Sequence, residues 1–276
     1  MANITAAEVN KLRQMTGAGM MDCKRALEES NGDYEQAIDI LRKKGQKVAS
    51  KRADKEAKEG IVVAKTTADH KFAAIIMLNC ETDFVAKNAE FVSFAKTALE
   101  LALSHKPKSV EDLKNLDWNG RKLMDGVTDL IGKTGEKMDL AKYEFIEAGK
   151  VFAYNHQGNR LSTIVGFNKE NSSDDAGHQL AMQIAAMNPI AVDSSDVPQD
   201  VVKKEIEIGM DMARQEGKPE NMLEKIATGK LNKFYKENTL LNQDFIRDNK
   251  MTVGQFVKQV DPELKVVGFK RLMLGA

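Results

Sequence analysis

The sequence is poor in cysteine and histidine, and each shortage excludes a class of protein. Its 276 residues include only two cysteines, Cys23 and Cys80, which lie far apart and form no CxxC pair. This usage argues against a disulfide framework and suits a reducing compartment, so we expect a cytoplasmic protein. No histidine stands four residues from another, so the spacing predicts no metal site. The four are His70, His105, His156 and His178.

An excess of charge of either sign is also missing. Lys and Arg number 41, and Asp and Glu also number 41. A neutral chain lacks the basic field that concentrates proteins on nucleic acid or anionic membranes, so we expect neither as a partner. No apolar run approaches the ~18 residues that a membrane span requires. The opening MANITAAEVNKL has no signal or transit character, so we expect no targeting peptide.

Motifs for catalysis and cofactor binding are absent as well. The stretch GAGMMDCK, residues 17–24, lacks the GK[ST] ending of a phosphate loop and the third glycine of a dinucleotide fingerprint. No GxSxG or catalytic cysteine signature occurs. Asp and Glu are plentiful on predicted helical faces, which singles out no catalytic pair. We therefore expect no cofactor and give an enzyme little weight.

What is present predicts an α+β protein. Thr5 and Glu8 form a capping box for a first helix whose face carries Val9, Leu12 and Met15. Gly32 ends a second helix and Asp33 caps a third, which we expect to stop at Gly45. From residue 60 the pattern changes to strands followed by helices, and this plan occurs twice. The predicted units are a three-helix module (1–45), a charged, solvated helical linker (46–59), core subdomain 1 (60–139), core subdomain 2 (140–195 and 239–276) and an antiparallel helical hairpin (196–238).

The core strands and helices predict antiparallel sheets. Residues 60–66 and 71–79, joined by TADH, form a hairpin, and a helix follows. In the second subdomain we expect strands near 142–148, 151–156 and 161–167, a helix near 174–187, and LKVVGFKRLML as the last strand. The hairpin is broken once, at EGKPE.

Two stretches place apolar side chains where polar ones are usual. In NCETDFVAKN, Thr82 and Asp83 are typical capping residues, but capping leaves Phe84 unexplained. Phe84 either packs inward beneath the next helix or points outward as an anchor. Met20 and Met21 begin a helix beside two glycines, where they either dock a partner or fill a small core.

These stretches resemble bacterial elongation factor Ts. LRQMTGAGMMDCKRALEESNGD, NCETDFVAKN and GKPENMLEKIATGKLNKF match that family in order and spacing over essentially the whole chain. The resemblance implies a ubiquitin-associated-like first module, a coiled-coil hairpin, and a guanine nucleotide exchange factor for the GTPase elongation factor Tu. It further implies that Thr82, Asp83, Phe84 and Val85 disturb the Mg²⁺ and phosphate site of the GTPase. Further contacts with the GTPase are implied for positions that match the family, namely Leu12, Met20, Met21 and His156.

Some family members continue beyond the position of RLMLGA into a C-terminal module that adds a contact with the GTPase, and the resemblance leaves that contact open for this chain. Self-association through the hairpin does not follow from the resemblance, and the oligomeric state is left open. The alternative is a non-catalytic adaptor or chaperone-like protein that holds partners through its helical module.

Overall fold

The computed structural model describes residues 4–275 and is a mixed α+β fold with antiparallel sheets, as predicted. The helices are α1 (Ala6–Thr16), α2 (Met20–Glu29), α3 (Tyr34–Lys51), α4 (Asp83–Ala86), α5 (Ala89–His105), α6 (Val110–Lys114), α7 (Leu123–Thr134), α8 (Asp174–Met187), α9 (Gln199–Gln215), α10 (Glu220–Asn238) and α11 (Val253–Val260). The strands are β1 (Glu59–Thr66), β2 (Phe72–Cys80), β3 (Met138–Glu147), β4 (Lys150–Asn155), β5 (Leu161–Phe167), β6 (Asp244–Phe245), β7 (Asp248–Thr252) and β8 (Val266–Met273). No helix in this part of the chain is both long and apolar enough to cross a membrane.

Helices α1, α2 and α3 surround a small core of their own. The predicted capping box starts α1, because the Thr5 hydroxyl accepts from the Glu8 N–H while the Glu8 carboxylate accepts from the Thr5 N–H. Asp33 caps α3 through the Gln36 N–H at 3.0 Å. The buried residues of this core are Val9, Leu12, Ala18, Cys23, Ala26, Leu27 and Ala37. Met15 was expected on the same face, but it is 57% exposed, since six residues carry it about 120° around the helix from Val9.

The third helix does not stop at Gly45, which corrects the sequence prediction. It continues without a break to Lys51, so that the linker 46–59, predicted as a separate helical segment, is helical over about its first half as part of α3. Gly45 serves helix packing rather than helix ending, since a Cβ there would lie 2.8 Å from the Thr128 carbonyl oxygen of α7 and its Cα faces Gly132. These two glycines let the backbones of α3 and α7 approach closely, and the contact fixes the first three helices on the rest of the molecule.

The first sheet has the order β1-β2-β3, all antiparallel. Helices α5 and α7 cover one of its faces and share its core. The strand expected near 142–148 in the second subdomain is β3, which pairs with β2 and belongs to this first sheet. The predicted boundary at residue 140 therefore falls inside a strand. The boundary was misplaced because the second sheet takes its third strand from the C-terminal segment and not from residues 142–148.

The second sheet has the order β4-β5-β8 and carries α8 and α11 on one face. Its β8 is the predicted last strand. The other face packs against the first sheet, so that every residue of β2 is buried between helices on one side and a sheet on the other. The residues between the sheets are Val62, Ala64, Ala73, Ile75, Met77, Ile146, Val151, Ile164, Leu272 and Leu274.

The free edge of β1 is covered by polar groups from the second sheet. The side-chain amide of Asn155 accepts from the Ala64 N–H at 2.7 Å and donates to the Ala64 carbonyl at 2.9 Å, as a neighbouring strand would. At Val62, the N–H donates to the Asn159 carbonyl and the carbonyl accepts from the Ser162 hydroxyl. A strand edge that would otherwise be unpaired is thereby satisfied.

Helices α9 and α10 form the expected helical pair and are joined by a short turn in which Gly217 has φ 73°. Their seam is tight where Gly209 meets Ala227, since a Cβ on Gly209 would lie 3.1 Å from the Ala227 Cα. Ile208, Met212 and Met222 are exposed on this pair.

Candidate protein-docking site

The stretch that follows β2 forms a single exposed helical turn. Thr82 has extended backbone and caps α4, with its hydroxyl accepting from the Val85 N–H at 3.4 Å. Phe84 is 82% exposed, the most exposed large apolar side chain of the described residues. The inward-packing interpretation of Phe84 is therefore wrong for this structure. Val85 and Ala86 turn the other way and pack, partly buried, against the core of the first sheet. We name residues 82–85 the TDFV turn.

Two carboxylates tie this turn to the segment after α7. Glu136 accepts from the Thr82 N–H at 3.0 Å and from the Thr82 hydroxyl at 2.6 Å. In the reverse direction, Glu81 accepts from the Lys137 N–H at 2.5 Å. Arg52, just past the end of α3, donates to both oxygens of Glu81 at 3.0 and 2.8 Å. We name Glu81 and Glu136 the carboxylate clamp.

Asp83 stands in the first turn of α4 and pairs with Lys87 at 2.6 Å. The hydrogen bond from Lys87 holds the pKa of Asp83 below its ordinary value, and the negative charge is favourable at a helix N-terminus. Of the two predicted capping residues, Thr82 makes the cap hydrogen bond and Asp83 supplies charge to the turn.

Cys80, directly beneath the turn, is a structural thiol. Burial and the nearby charges of Glu136 and Glu59 raise its pKa to about 12, so the thiol stays protonated. Its Sγ donates to the Thr82 carbonyl at 3.2 Å. The thiol therefore adds one more hydrogen bond to the base of the TDFV turn.

The second apolar stretch lies on the helical module. Met20 and Met21, at the start of α2, are 52% and 59% exposed, so neither fills the small core. Leu12, by contrast, is fully buried in that core. The expectation that Leu12 touches a partner is corrected, because its side chain packs between the three helices and holds their arrangement.

The end of α7 supports both apolar stretches. Lys133 contacts Gly17, where a Cβ would lie 2.5 Å from the Lys133 Nζ, and it also forms an ion pair with Glu90 at the start of α5. Glu136, three residues further, holds Thr82. The methionine turn (residues 17–21) and the TDFV turn therefore both contact the same short segment, residues 133–136.

His156 occupies a different place. It lies exposed on the turn between β4 and β5, where its Nδ1 is 2.9 Å from the Tyr154 hydroxyl. Beside it is an apolar groove of about 550 Å³ whose wall includes Met182, Ile246 and Met273. The neighbouring Asn155 anchors this turn to β1.

Sequence reasoning missed the residues that hold the site in place. Glu81 and Glu136 are single acidic residues among many, and Asn155 is one of several polar residues in YNHQGNR. Their partners lie tens of residues away, so no local pattern identifies them. Within residues 4–275, no three His, Cys, Asp or Glu side chains are gathered as a metal site would require.

The chain is similar to known proteins along its whole length. Residues 81–276 match the family model described as Elongation factor TS. The chain is 49% identical over 276 residues to Elongation factor Ts of Christiangramia forsetii, which covers 100% of both chains. It is 50% identical over 275 residues to Elongation factor Ts of Porphyromonas gingivalis, with 99% of each chain covered. The corresponding protein of Cytophaga hutchinsonii is 48% identical over 278 residues, again with complete coverage. This chain therefore belongs to the elongation factor Ts family of translation elongation factors.

Proposed function

We propose that this protein is a guanine nucleotide exchange factor for elongation factor Tu. It binds the GTPase in its GDP form, disturbs the Mg²⁺ and phosphate-binding site, and promotes GDP release so that GTP can rebind. The observation that carries the proposal is Phe84, which is 82% exposed on a turn whose backbone is held by hydrogen bonds on several sides. An aromatic side chain in this position is suited to enter a pocket on a partner.

Such a factor needs no catalytic chemistry of its own. Two ligands that weaken each other's binding to a third protein do so reciprocally, so a factor that prefers the empty GTPase accelerates nucleotide loss. Contacts to the metal and phosphates dominate nucleotide binding in a GTPase, which makes them the effective point of attack. We therefore infer that the protein acts by binding alone and is not an enzyme.

The site residues have different roles. Phe84 enters the partner, while Thr82, Asp83 and Val85 shape and support the turn. Met20 and Met21 contact the nucleotide domain of the GTPase from the helical module, and His156 makes a further contact with the GTPase from the second sheet. We also infer that α1, α2 and α3 form a ubiquitin-associated-like module, that α9 and α10 form a coiled coil, and that the protein works in the cytoplasm.

The direct test is release of a fluorescent GDP from elongation factor Tu. We expect the wild-type protein to accelerate release at substoichiometric concentration. Phe84→Ala should fold normally, because the side chain is exposed, and should lose most of this activity. Asp83→Ala should reduce the rate of GDP release less than Phe84→Ala does. If wild type binds the GTPase and leaves GDP release unchanged, the proposal is wrong.

A second function is favoured by one observation. The exposed Met20 and Met21 would suit an adaptor or chaperone-like protein that holds partners through its helical module. In that case the methionine pair, and not Phe84, would be needed for binding, and GDP release would not respond to the protein.

A further inference from the structure

The TDFV turn is too short to hold itself in shape. Helix α4 has four residues, and an isolated turn of helix is unstable in water. Its largest side chain, Phe84, contributes nothing to burial because it faces solvent. Only Val85 and Ala86 pack partly against the core. The geometry of the turn therefore depends strongly on its hydrogen bonds.

The strongest of these hydrogen bonds involve Glu136. A carboxylate that accepts from an N–H and a hydroxyl forms charge-assisted bonds, which are shorter and stronger than neutral ones. Because the Thr82 hydroxyl gives its proton to Glu136 at 2.6 Å, its oxygen lone pair is directed to the Val85 N–H, where it caps α4. One carboxylate thus fixes both the backbone and the side chain of the capping residue.

The second carboxylate, Glu81, links the same two segments in the opposite direction. Glu81 accepts from the Lys137 N–H while Glu136 accepts from the Thr82 N–H, so each of the two segments donates a backbone hydrogen to the other. Arg52 neutralises Glu81 and joins the end of α3 to the same point. Glu136 itself follows Gly135, whose left-handed backbone ends α7 and directs the chain toward the turn.

We propose that Glu136, supported by Glu81, is a positioning residue that holds the TDFV turn in its docking form before any partner arrives. The inference rests on the proposed function, since it assigns these carboxylates to the same site. A turn that is already ordered loses little conformational freedom on binding, and this raises affinity without any new contact. Glu136 acts through Thr82 and does not itself touch the partner.

The first test examines the free protein and does not depend on exchange. In Glu136→Gln the amide oxygen can still accept from the Thr82 N–H, but the NH₂ group then faces the Thr82 hydroxyl, which can no longer donate to this side chain. The hydrogen bonds that remain also lose the negative charge of the carboxylate. We expect chymotrypsin to cleave after Phe84 roughly tenfold faster, since cleavage follows the population of the opened turn and a charged hydrogen bond is lost. The N-terminal fragment is identified by mass spectrometry. The Tm should stay within a few degrees of wild type.

Matched variants separate positioning from general damage. Glu100→Gln makes the same substitution at an exposed carboxylate that pairs with Lys65, and it should leave cleavage after Phe84 unchanged. Thr82→Val removes the hydroxyl, so adding Glu136→Gln to it should accelerate cleavage less than the two single effects multiplied together. Thr82→Ser retains the hydroxyl, so cleavage after Phe84 should be as slow as in wild type.

Exchange measurements then connect the turn to function. In the fluorescent GDP assay, Glu136→Gln should need a roughly tenfold higher concentration for half-maximal release. The release rate at saturation should be retained, since Phe84 is intact. Unchanged cleavage overturns the inference, and so does faster cleavage with an unchanged half-saturating concentration. If wild-type protein releases no GDP, the proposed function fails, while the cleavage result still decides whether Glu136 orders the turn.

Discussion

The methionine turn and the TDFV turn both expose apolar side chains at the start of a helix, but they are held in different ways. Gly19 caps α2 without any side-chain hydrogen bond, and Gly17 takes a left-handed backbone with φ 65°. Thr82 caps α4 through its hydroxyl and is held in turn by Glu136. One turn rests on glycine geometry and a small core, and the other on a network of charged hydrogen bonds.

The difference matches the side chains that each turn presents. Methionine has several rotatable bonds and a polarizable sulfur, so it adapts to an irregular surface. An aromatic ring has few rotamers and gains most when its direction is set in advance. A turn without a side-chain cap is sufficient for the adaptable methionines, whereas Phe84 needs the direction that the hydrogen bonds of Glu81 and Glu136 set. The proposed interface therefore combines an adaptable contact with a rigid one.

The largest expected effect compares the two contacts directly. Phe84→Ala should reduce exchange by more than about 2 kcal/mol, or roughly thirtyfold, as for a central aromatic at an interface. The double variant Met20→Ala, Met21→Ala should reduce it by less, roughly fivefold, because flexible side chains lose entropy on binding. GDP release at a fixed factor concentration measures both. A larger loss for the methionine pair would reverse the roles assigned to the two turns.

A smaller effect is expected where the helical module meets α7. Gly45→Ala places a Cβ 2.8 Å from the Thr128 carbonyl, and overpacking of this kind should lower the free energy of unfolding by roughly 1–2 kcal/mol. The methionine turn would shift relative to the TDFV turn, so exchange should fall about as far as in the methionine variant. Urea unfolding and GDP release measure the two quantities.

The matched control is another helical glycine. Gly229 in α10 has open space where a Cβ would lie, with no neighbouring atom within 4 Å, so Gly229→Ala should raise stability by up to about 1 kcal/mol through helix propensity. If Gly45→Ala and Gly229→Ala changed the free energy of unfolding equally, the approach of α3 to α7 would not be tight.

The smallest expected effect is the response of the two helix N-termini at Glu8 and Asp83 to acidic solution. Hydrogen bonds from Thr5 lower the pKa of Glu8, and the hydrogen bond from Lys87 lowers the pKa of Asp83. A lowered pKa in the folded state means that the stabilisation is complete above the unfolded value, about 4, and is lost as the pH falls through the folded value. Backbone amide shifts of Glu8 and Phe84 should therefore be constant from pH 8 to pH 5 and change only in more acidic solution. A change near pH 7 would contradict this.

Local signals in the sequence predicted much of the fold. Thr5 with Glu8 marked the start of α1, and the TADH turn marked the β1 and β2 hairpin, because capping and turn formation depend on neighbouring residues. Gly45 misled the prediction, since a glycine at a helix crossing has the same appearance as one at a helix end. The pairing of β3 with β2 was missed because strand partners are set by contacts between distant segments.

The site was predicted only in part for the same reason. TDFV identified a turn, but periodicity gave Phe84 two possible directions, and only packing of Val85 and Ala86 decides between them. Glu136 lies 54 residues from Thr82, so its role cannot be seen from the sequence around either residue. Leu12 matched a contact position by resemblance and proved to be buried.

The polar cover over the edge of β1 has a consequence during synthesis. Ser162 bonds to Val62 across 100 residues, and Asn155 bonds to Ala64 across 91. At about 5–20 residues per second, a ribosome needs on the order of 5–20 s to add that length of chain. For this interval the nascent hairpin of β1 and β2 has an open edge on which another chain can add a strand. During this delay the hairpin is a place where a neighbouring nascent chain or a chaperone can bind.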